Sequence, residues 1–263
     1  MEALAGLSGG IEIISSIIYK INSIIIALTM LTGGISIPST DTRISYAEPD
    51  GKLMAVVWGD TQLCNYNPER EINFVAACDD LQNSATQIDA LLVAGDIVEN
   101  GFQSEYDSLT DDLEKVSKVD NFVMCAGNHD IRIRDYEQST QRYFDFTNNL
   151  NPKDKAIDNI WFEYEVDGYS FLVIGSDEMR FEDAYLSDAQ LEWLEERVAA
   201  ISASGKPVFV MGHYPLRDTH GLPLTWGASL WESGTIGDQS DIVYELLNKY
   251  DNVFYLTGHL HTG

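Results

Sequence analysis

Five apolar runs of this chain end the same way. AVVWGD, LLVAGD, VMCAGN, VFVMGH and FYLTGH each close on a glycine, followed at once by a side chain that can bind a metal or move a proton. Those side chains are Asp60, Asp96, Asn128, His213 and His259. Taken singly, any one of these runs is an ordinary strand-to-loop turn. A sixth run, FLVIGSD, has the glycine but follows it with Ser176, so the recurrence is more than strand punctuation. In an open α/β sheet, functional groups gather beyond the carboxyl ends of the strands. Five such ends side by side would bring five polar groups to one place.

The rest of the chain supports a sheet of that kind. After Glu48, apolar runs alternate with amphipathic stretches, the pattern of an α/β domain. Strands are expected at 53–58, 90–94, 122–126, 161–166, 170–174, 207–211 and 253–256. Helices are expected at 68–83, 103–117, 137–148 and 241–250, and from Ser187 onward. Asp167-Gly168 reads as the two-residue turn of an antiparallel hairpin. Ser187 and Gln190 have the spacing of a capping box, with Leu186 and Leu191 placed as a hydrophobic staple. Tyr106, Leu109, Leu113 and Val116 share one helix face and belong to the core.

Composition excludes some partners. The 263 residues carry a formal net charge of −26, from 42 acidic and 16 basic side chains. Such a surface repels nucleic-acid polymers and anionic membranes. The three cysteines, Cys64, Cys78 and Cys125, form no CxxC pair. Cys125 sits in an apolar run as a buried thiol, and a Cys64–Cys78 bridge is the alternative to two further free thiols.

Residues 1–47 read as a leader and 48–263 as the domain. Lys20, the apolar block at 24–31 and the small residues around Ser45-Tyr46-Ala47 resemble a secretory signal cleaved after Ala47. The expectation is a secreted or cell-surface protein. A membrane anchor is the alternative, and a buried helix of the domain stands third.

His261, two residues past His259, adds another imidazole to the set, and Gln62, two past Asp60, adds an amide oxygen. These donors are oxygen and imidazole with no thiolate, which suits divalent Mn, Fe or Zn. They are too many for one tetrahedral ion. Two ions roughly 3.5–4 Å apart, sharing a carboxylate, would use them all.

The blocks Gly59-Asp60-Thr61-Gln62, Gly95-Asp96, Gly127-Asn128-His129-Asp130, Gly212-His213 and Gly258-His259-Leu260-His261 resemble, in order, the motifs of the calcineurin-like metallophosphoesterase superfamily. The resemblance implies an α/β (α+β) fold, a two-sheet β-sandwich flanked by helices in αββα layers. It implies hydrolysis of phosphate monoesters or diesters by a hydroxide bridging two divalent ions. By the same resemblance, Asp96 bridges the ions, Asp60, Gln62 and His261 complete one site, and Asn128, His213 and His259 the other. His129 stands beside the leaving-group oxygen, steadied by a neighbouring acid such as Asp130. The substrate is then a small phosphorylated molecule whose identity the pocket loops do not spell out.

Three departures matter. The family usually has histidine where this chain has Gln62, which either still binds or leaves that site one ligand short. The purple acid phosphatases need tyrosine where Glu99 stands, which excludes that subgroup. The chain stops two residues past His261, where relatives continue into more sheet, so an edge truncated at the C-terminal side is expected.

Lesser candidates follow the motifs. Arg132 and Arg134 are placed to reach a substrate phosphate or to sit on a solvated edge. Arg217 and His220 lie in a turn-rich loop expected to overhang the site, with Trp226 and Trp231 beyond them as wall or packing. Ser176 lacks the Gly-x-Ser-x-Gly setting of a serine hydrolase, and Asp177 reads as a turn residue. Two other classes compete: a secreted non-catalytic binding module on the same fold, and a carbohydrate hydrolase with paired carboxylates. The first has no use for His129 and the second leaves the histidines unexplained. Oligomeric state is not legible.

Overall fold

A computed structural model describes residues 53–132, 135–219 and 234–261. Among these residues, seven strands form two sheets. The first contains β1 (Ala55–Trp58), β2 (Ala90–Val93) and β3 (Phe122–Met124), all parallel, in the order β1-β2-β3. The second contains β4 (Phe162–Val166), β5 (Tyr169–Val173), β6 (Val208–Met211) and β7 (Val253–Leu256), in that order. Its β4–β5 pair is antiparallel and the rest parallel. The parallel neighbours are joined through helices α1 (Pro68–Gln82), α2 (Gln103–Leu113), α5 (Asp188–Ala203) and α6 (Ser240–Leu247), as parallel pairing requires. Between β3 and β4 lie a single helical turn α3 (Asn128–Ile131) and the longer α4 (Tyr136–Leu150).

Period-two alternation sorts the side chains into layers. Ala90, Leu92, Val123 and Cys125 of the first sheet meet Tyr164, Val166, Phe171, Val173 and Met211 of the second. Their neighbours Leu91, Val93, Phe122 and Met124 point the other way, onto Tyr106, Leu109, Tyr143 and Phe146 of α2 and α4. On the far side, Leu172, Ile174, Val208 and Val210 pack on Leu194, Val198, Val243 and Leu246 of α5 and α6. Helices therefore flank two stacked sheets, the αββα layering that the resemblance implies. Phe171 is fully buried between the sheets. Its truncation to alanine would cost roughly 3–5 kcal/mol.

Local chemistry explains most boundaries. Asp167 (φ 50°) and Gly168 (φ 77°) both adopt the left-handed region, as a two-residue type I′ hairpin turn demands. β2, β3 and β5 stop one or two residues earlier than expected where their glycine-ended turns begin, while β1, β6 and β7 end where expected.

At the start of α5 only half of the expected capping box forms. Ser187 Oγ accepts from the Gln190 amide at 3.3 Å. The Gln190 side chain does not return to Ser187; it bonds Gly175 and Asp177, and Asp177 accepts from the Ser187 amide instead. Asp177 thus fastens the helix start rather than merely turning the chain.

The bridge alternative is corrected as well: Cys64, Cys78 and Cys125 are all free and buried. Burial pushes the Cys78 thiol up to about 12. β7 is the outer strand of its sheet among the described residues, the edge at which truncation was expected. The leader at 1–47, Arg134, His220, Trp226 and Trp231 fall outside the described residues.

Candidate metal centre

The glycine-ended strands do converge. His213 Nε2 lies 3.2 Å from Asp96 Oδ1, 3.2 Å from Asn128 Oδ1 and 3.0 Å from His259 Nδ1. On the other side of Asp96, the Gln62 amide lies 3.3 Å from Asp96 Oδ2, and His261 Nε2 lies 3.2 Å from Asp60 Oδ1. Two triplets of potential ligand atoms result, Asp96–His213–His259 and Asp60–Asp96–His261, and Asp96 belongs to both. All seven side chains that the sequence nominated as metal ligands are therefore brought together.

Backbone strain marks the place. Asp60, Gln62, Asp96, His259 and His261 all have positive φ, between 40° and 75°. Non-glycine residues seldom stay in that region unless the surroundings hold them there, at about 1–3 kcal/mol each. The glycines have a different task, which is close approach. A Cβ at Gly127 would overlap Asp96 Oδ1 and the Asp96 amide nitrogen. One at Gly258 would sit 2.5 Å from Asp60 Oδ2 and 2.7 Å from the Ala94 carbonyl. The missing side chains of Gly95, Gly127 and Gly258 are what let these chain ends crowd.

The donors fit cations. Oxygen and nitrogen ligands about 2.1 Å from one ion stand about 3 Å apart, close to the spacings seen around His213 Nε2. His213 Nδ1 lies 2.8 Å from the Ala94 carbonyl, so an N–H there leaves the Nε2 lone pair aimed into the cluster. Asn128 is fully buried, and its Nδ2 has no hydrogen-bond partner.

Charge points the same way. Burial alone would lower His213, yet the Asp96 carboxylate raises it to about 9. Burial, together with the charge of His213, lowers His259 to about 3. Burial opposes ionisation of Asp96, but His213 holds it well below the usual carboxylate range. Burial raises Asp60, the less enclosed carboxylate. A group of donors that retains a proton so firmly is a place built for positive charge.

His129 is not among the clustered donors but stands at their edge. Its amide donates to Asp96 Oδ1 at 2.9 Å, and its Nε2 is 3.9 Å from Asp96 Oδ2. Its Nδ1 is 2.7 Å from the Glu99 carbonyl and 3.3 Å from the Glu99 carboxylate. The steadying acid is therefore Glu99, which also pairs with Arg70, and not Asp130.

Asp130 is buried and faces away from the imidazole. Its two oxygens accept from the amides of Ile97, Val98 and Gly127 and from the Tyr106 hydroxyl. Burial raises its carboxyl to about 7 against those donors. Its task is to tie the second and third strand ends together.

Arg132 does reach the site. Its Nη2 is 3.0 Å from His129 Nδ1, and its Nη1 is 3.4 Å from Glu182. Arg217 is used elsewhere: its amide donates to Ser240 Oγ, and its guanidinium meets Asp241 and the Gly237 carbonyl at the start of α6.

Glu99, Glu182 and Tyr214 were not nominated from sequence. Glu182 Oε2 lies 3.8 Å from His259 Nε2. The Tyr214 ring packs edge-on against both His213 and His259. Glu99 had a legible signal, three residues past Asp96 in GDIVEN, and Tyr214 directly follows His213. Glu182 had none.

Comparison with known proteins agrees with this geometry. The family profile described as "Calcineurin-like phosphoesterase" matches residues 55–263. A "Probable cyclic nucleotide phosphodiesterase" of Rhodococcus erythropolis is 29% identical over 180 residues, 68% of this chain and 53% of that protein. One from Synechococcus sp. is 22% identical over 173 residues, 66% of this chain and 58% of that protein. The chain thus spans little more than half the length of these relatives. A crystal structure of a dimetal phosphatase from Danio rerio aligns with TM-score 0.58 and 12% identity, covering 80% of this chain and 82% of that one, which shows a shared fold. With its motif residues gathered at the strand ends and a profile match over most of its length, this chain belongs to the calcineurin-like phosphoesterase family.

Proposed function

We propose that the site hydrolyses phosphate esters of small molecules, cyclic nucleotide diesters among them, with two divalent cations held by the clustered side chains. The observation that carries this is the pair of ligand triplets sharing Asp96. Asn128, His213 and His259 would hold one ion, Asp60, Gln62 and His261 the other, and Asp96 both. The oxygen and imidazole donors suit Mn, Fe or Zn. Ions bound there supply neutralising charge to the phosphate and acidify a water for attack on phosphorus.

The chain's own residues do the rest. His129, with Nδ1 donating to the Glu99 carbonyl and the Glu99 carboxylate beside it, keeps Nε2 turned toward the cluster. As the ester P–O bond breaks, the departing oxygen takes a proton from Nε2, a gain of about 10²–10⁴-fold for a general acid of this kind. Arg132, paired with Glu182, meets the same ring at Nδ1, on the side away from that proton. The names of the relatives favour a diester, and the strongly acidic chain favours a small one over a polymer.

The test is an assay with Mn²⁺ on bis(p-nitrophenyl) phosphate, p-nitrophenyl phosphate and 3′,5′-cyclic AMP. Turnover of the diesters, lost with chelator and restored with metal, is expected. No turnover of any of the three contradicts the proposal.

Export through residues 1–47 is a separate inference, supported by Lys20, the apolar block at 24–31 and the small residues before position 48. N-terminal sequencing of protein from the culture medium should begin at Glu48. An intact chain retained inside the cell contradicts it.

A further inference from the structure

The connection between β5 and α5 is clamped at its base, and its tip reaches the rim of the site. The Asp177 amide donates to the Tyr185 carbonyl at 2.8 Å, and the Tyr185 amide donates to Ser176 Oγ at 3.0 Å. Asp177 Oδ1 also accepts from Trp161 Nε1. From this clamp the tip carries Phe181 to the rim of the site, the residue 68% exposed. The Arg132 guanidinium lies over that ring, 5.0 Å from its centroid, while Arg132 Nη2 touches His129. Glu182, the next residue, reaches from Arg132 to His259.

A phenyl ring set out in water on a strongly acidic protein makes no contribution to the core. Its position does suit a substrate. The arginine occupies one face and holds the ring in place, as a guanidinium does on an aromatic. The exposure leaves the rest of the ring open at the rim of the site, one residue before Glu182, which reaches His259.

We propose that Phe181 is the specificity-determining residue of this site. Its open face stacks on the flat ring of the substrate's organic group, a nucleobase or an aryl group, while the phosphate lies over Asp96. The inference rests on the phosphoester reading and names the class of ester: one bearing a planar aromatic group. Stacking of a base on an aromatic side chain is a recurring and sequence-tolerant device.

Calorimetric titration of the Mn²⁺-loaded protein with AMP and with ribose 5-phosphate tests it, since the two share phosphate and sugar and differ by the base. AMP should bind the native protein more tightly. Phe181→Ala should weaken AMP about tenfold, and Phe181→Trp should restore it. Ribose 5-phosphate should stay within about twofold throughout. Equal affinity for the two ligands, equal losses of both in Phe181→Ala, or no AMP binding overturns the proposal. Because binding is read, a native protein that prefers AMP in this way yet hydrolyses no ester would sink the hydrolase assignment and leave the aromatic subsite standing.

Discussion

The two halves of the cluster are built differently. Asp96, Asn128, His213 and His259 are almost wholly enclosed, none more than 2% exposed. The His213 imidazole is oriented by the Ala94 carbonyl, and both imidazoles are wedged by Tyr214. The other half is open: the Asp60 side chain is 15% exposed and that of His261 42%. Gln62 is buried but brings an amide where an imidazole would bind more strongly. The enclosed half is organised before any ligand arrives, and the open half leaves more to the ligand. That predicts one tightly held ion and one exchangeable ion, joined by Asp96.

The largest effect should come from breaking what the halves share. Asp96→Asn should lower diester turnover by about 10³-fold, some 4 kcal/mol of barrier, read as kcat at saturating Mn²⁺. Next come the single halves. His213→Ala should remove the tight ion, whereas His261→Ala should retain it and weaken only the second by roughly 10–100-fold in calorimetric titration. Equal losses in both variants would erase the distinction between the halves. Gln62→His should tighten the open half and shift its preference from Mn toward Zn; unchanged stoichiometry and preference would remove Gln62 from the ligand set.

Glu99 and Asp130 provide a finer contrast, because each is an acid near His129 and only one faces it. Glu99→Gln should move the acidic-to-basic pH profile of kcat while leaving the melting temperature nearly unchanged. Asp130→Asn should do the reverse, costing roughly 1–3 kcal/mol of stability by leaving amide donors without a partner.

The smallest effect belongs to the bidentate pair of Arg197 and Glu163, which ties α5 to β4 far from the site at 2.7 and 2.9 Å. Burial opposes ionisation of Glu163, but the Arg197 hydrogen bonds win and lower its pKa below 4.5. A carboxyl depressed in the folded state stabilises above its unfolded value, and that share is lost as pH falls through the folded one. Glu163→Gln should therefore cost under about 1 kcal/mol at pH 7 and nothing near pH 2 by denaturant titration.

The same contrast explains what was legible in the sequence. The strand-end ligands could be read because a glycine followed by a donor is a local pattern that the sheet then multiplies. Asp130 was misjudged because adjacency in sequence is not adjacency of side chains. On the single turn of α3 its carboxylate swings back to the amides of Ile97, Val98 and Gly127, away from its neighbour's ring. Arg217 was misjudged because nothing local reveals that α6 begins beside it. Phe181 and Glu182 sit in a stretch with no periodicity, where only the fold decides what a side chain reaches. The half-formed capping box belongs here as well, since the spacing was right and Asp177, distant enough to escape the motif, won the competition for the amide.

The claim that one carboxylate serves both halves can be measured directly by electron paramagnetic resonance during Mn²⁺ titration. The first equivalent should give the six-line signal of an isolated ion. The second should convert it to the multiline signal of an exchange-coupled pair, and Asp96→Asn should abolish that conversion. Two equivalents that bind and remain uncoupled, or coupling that survives Asp96→Asn, would contradict a shared Asp96.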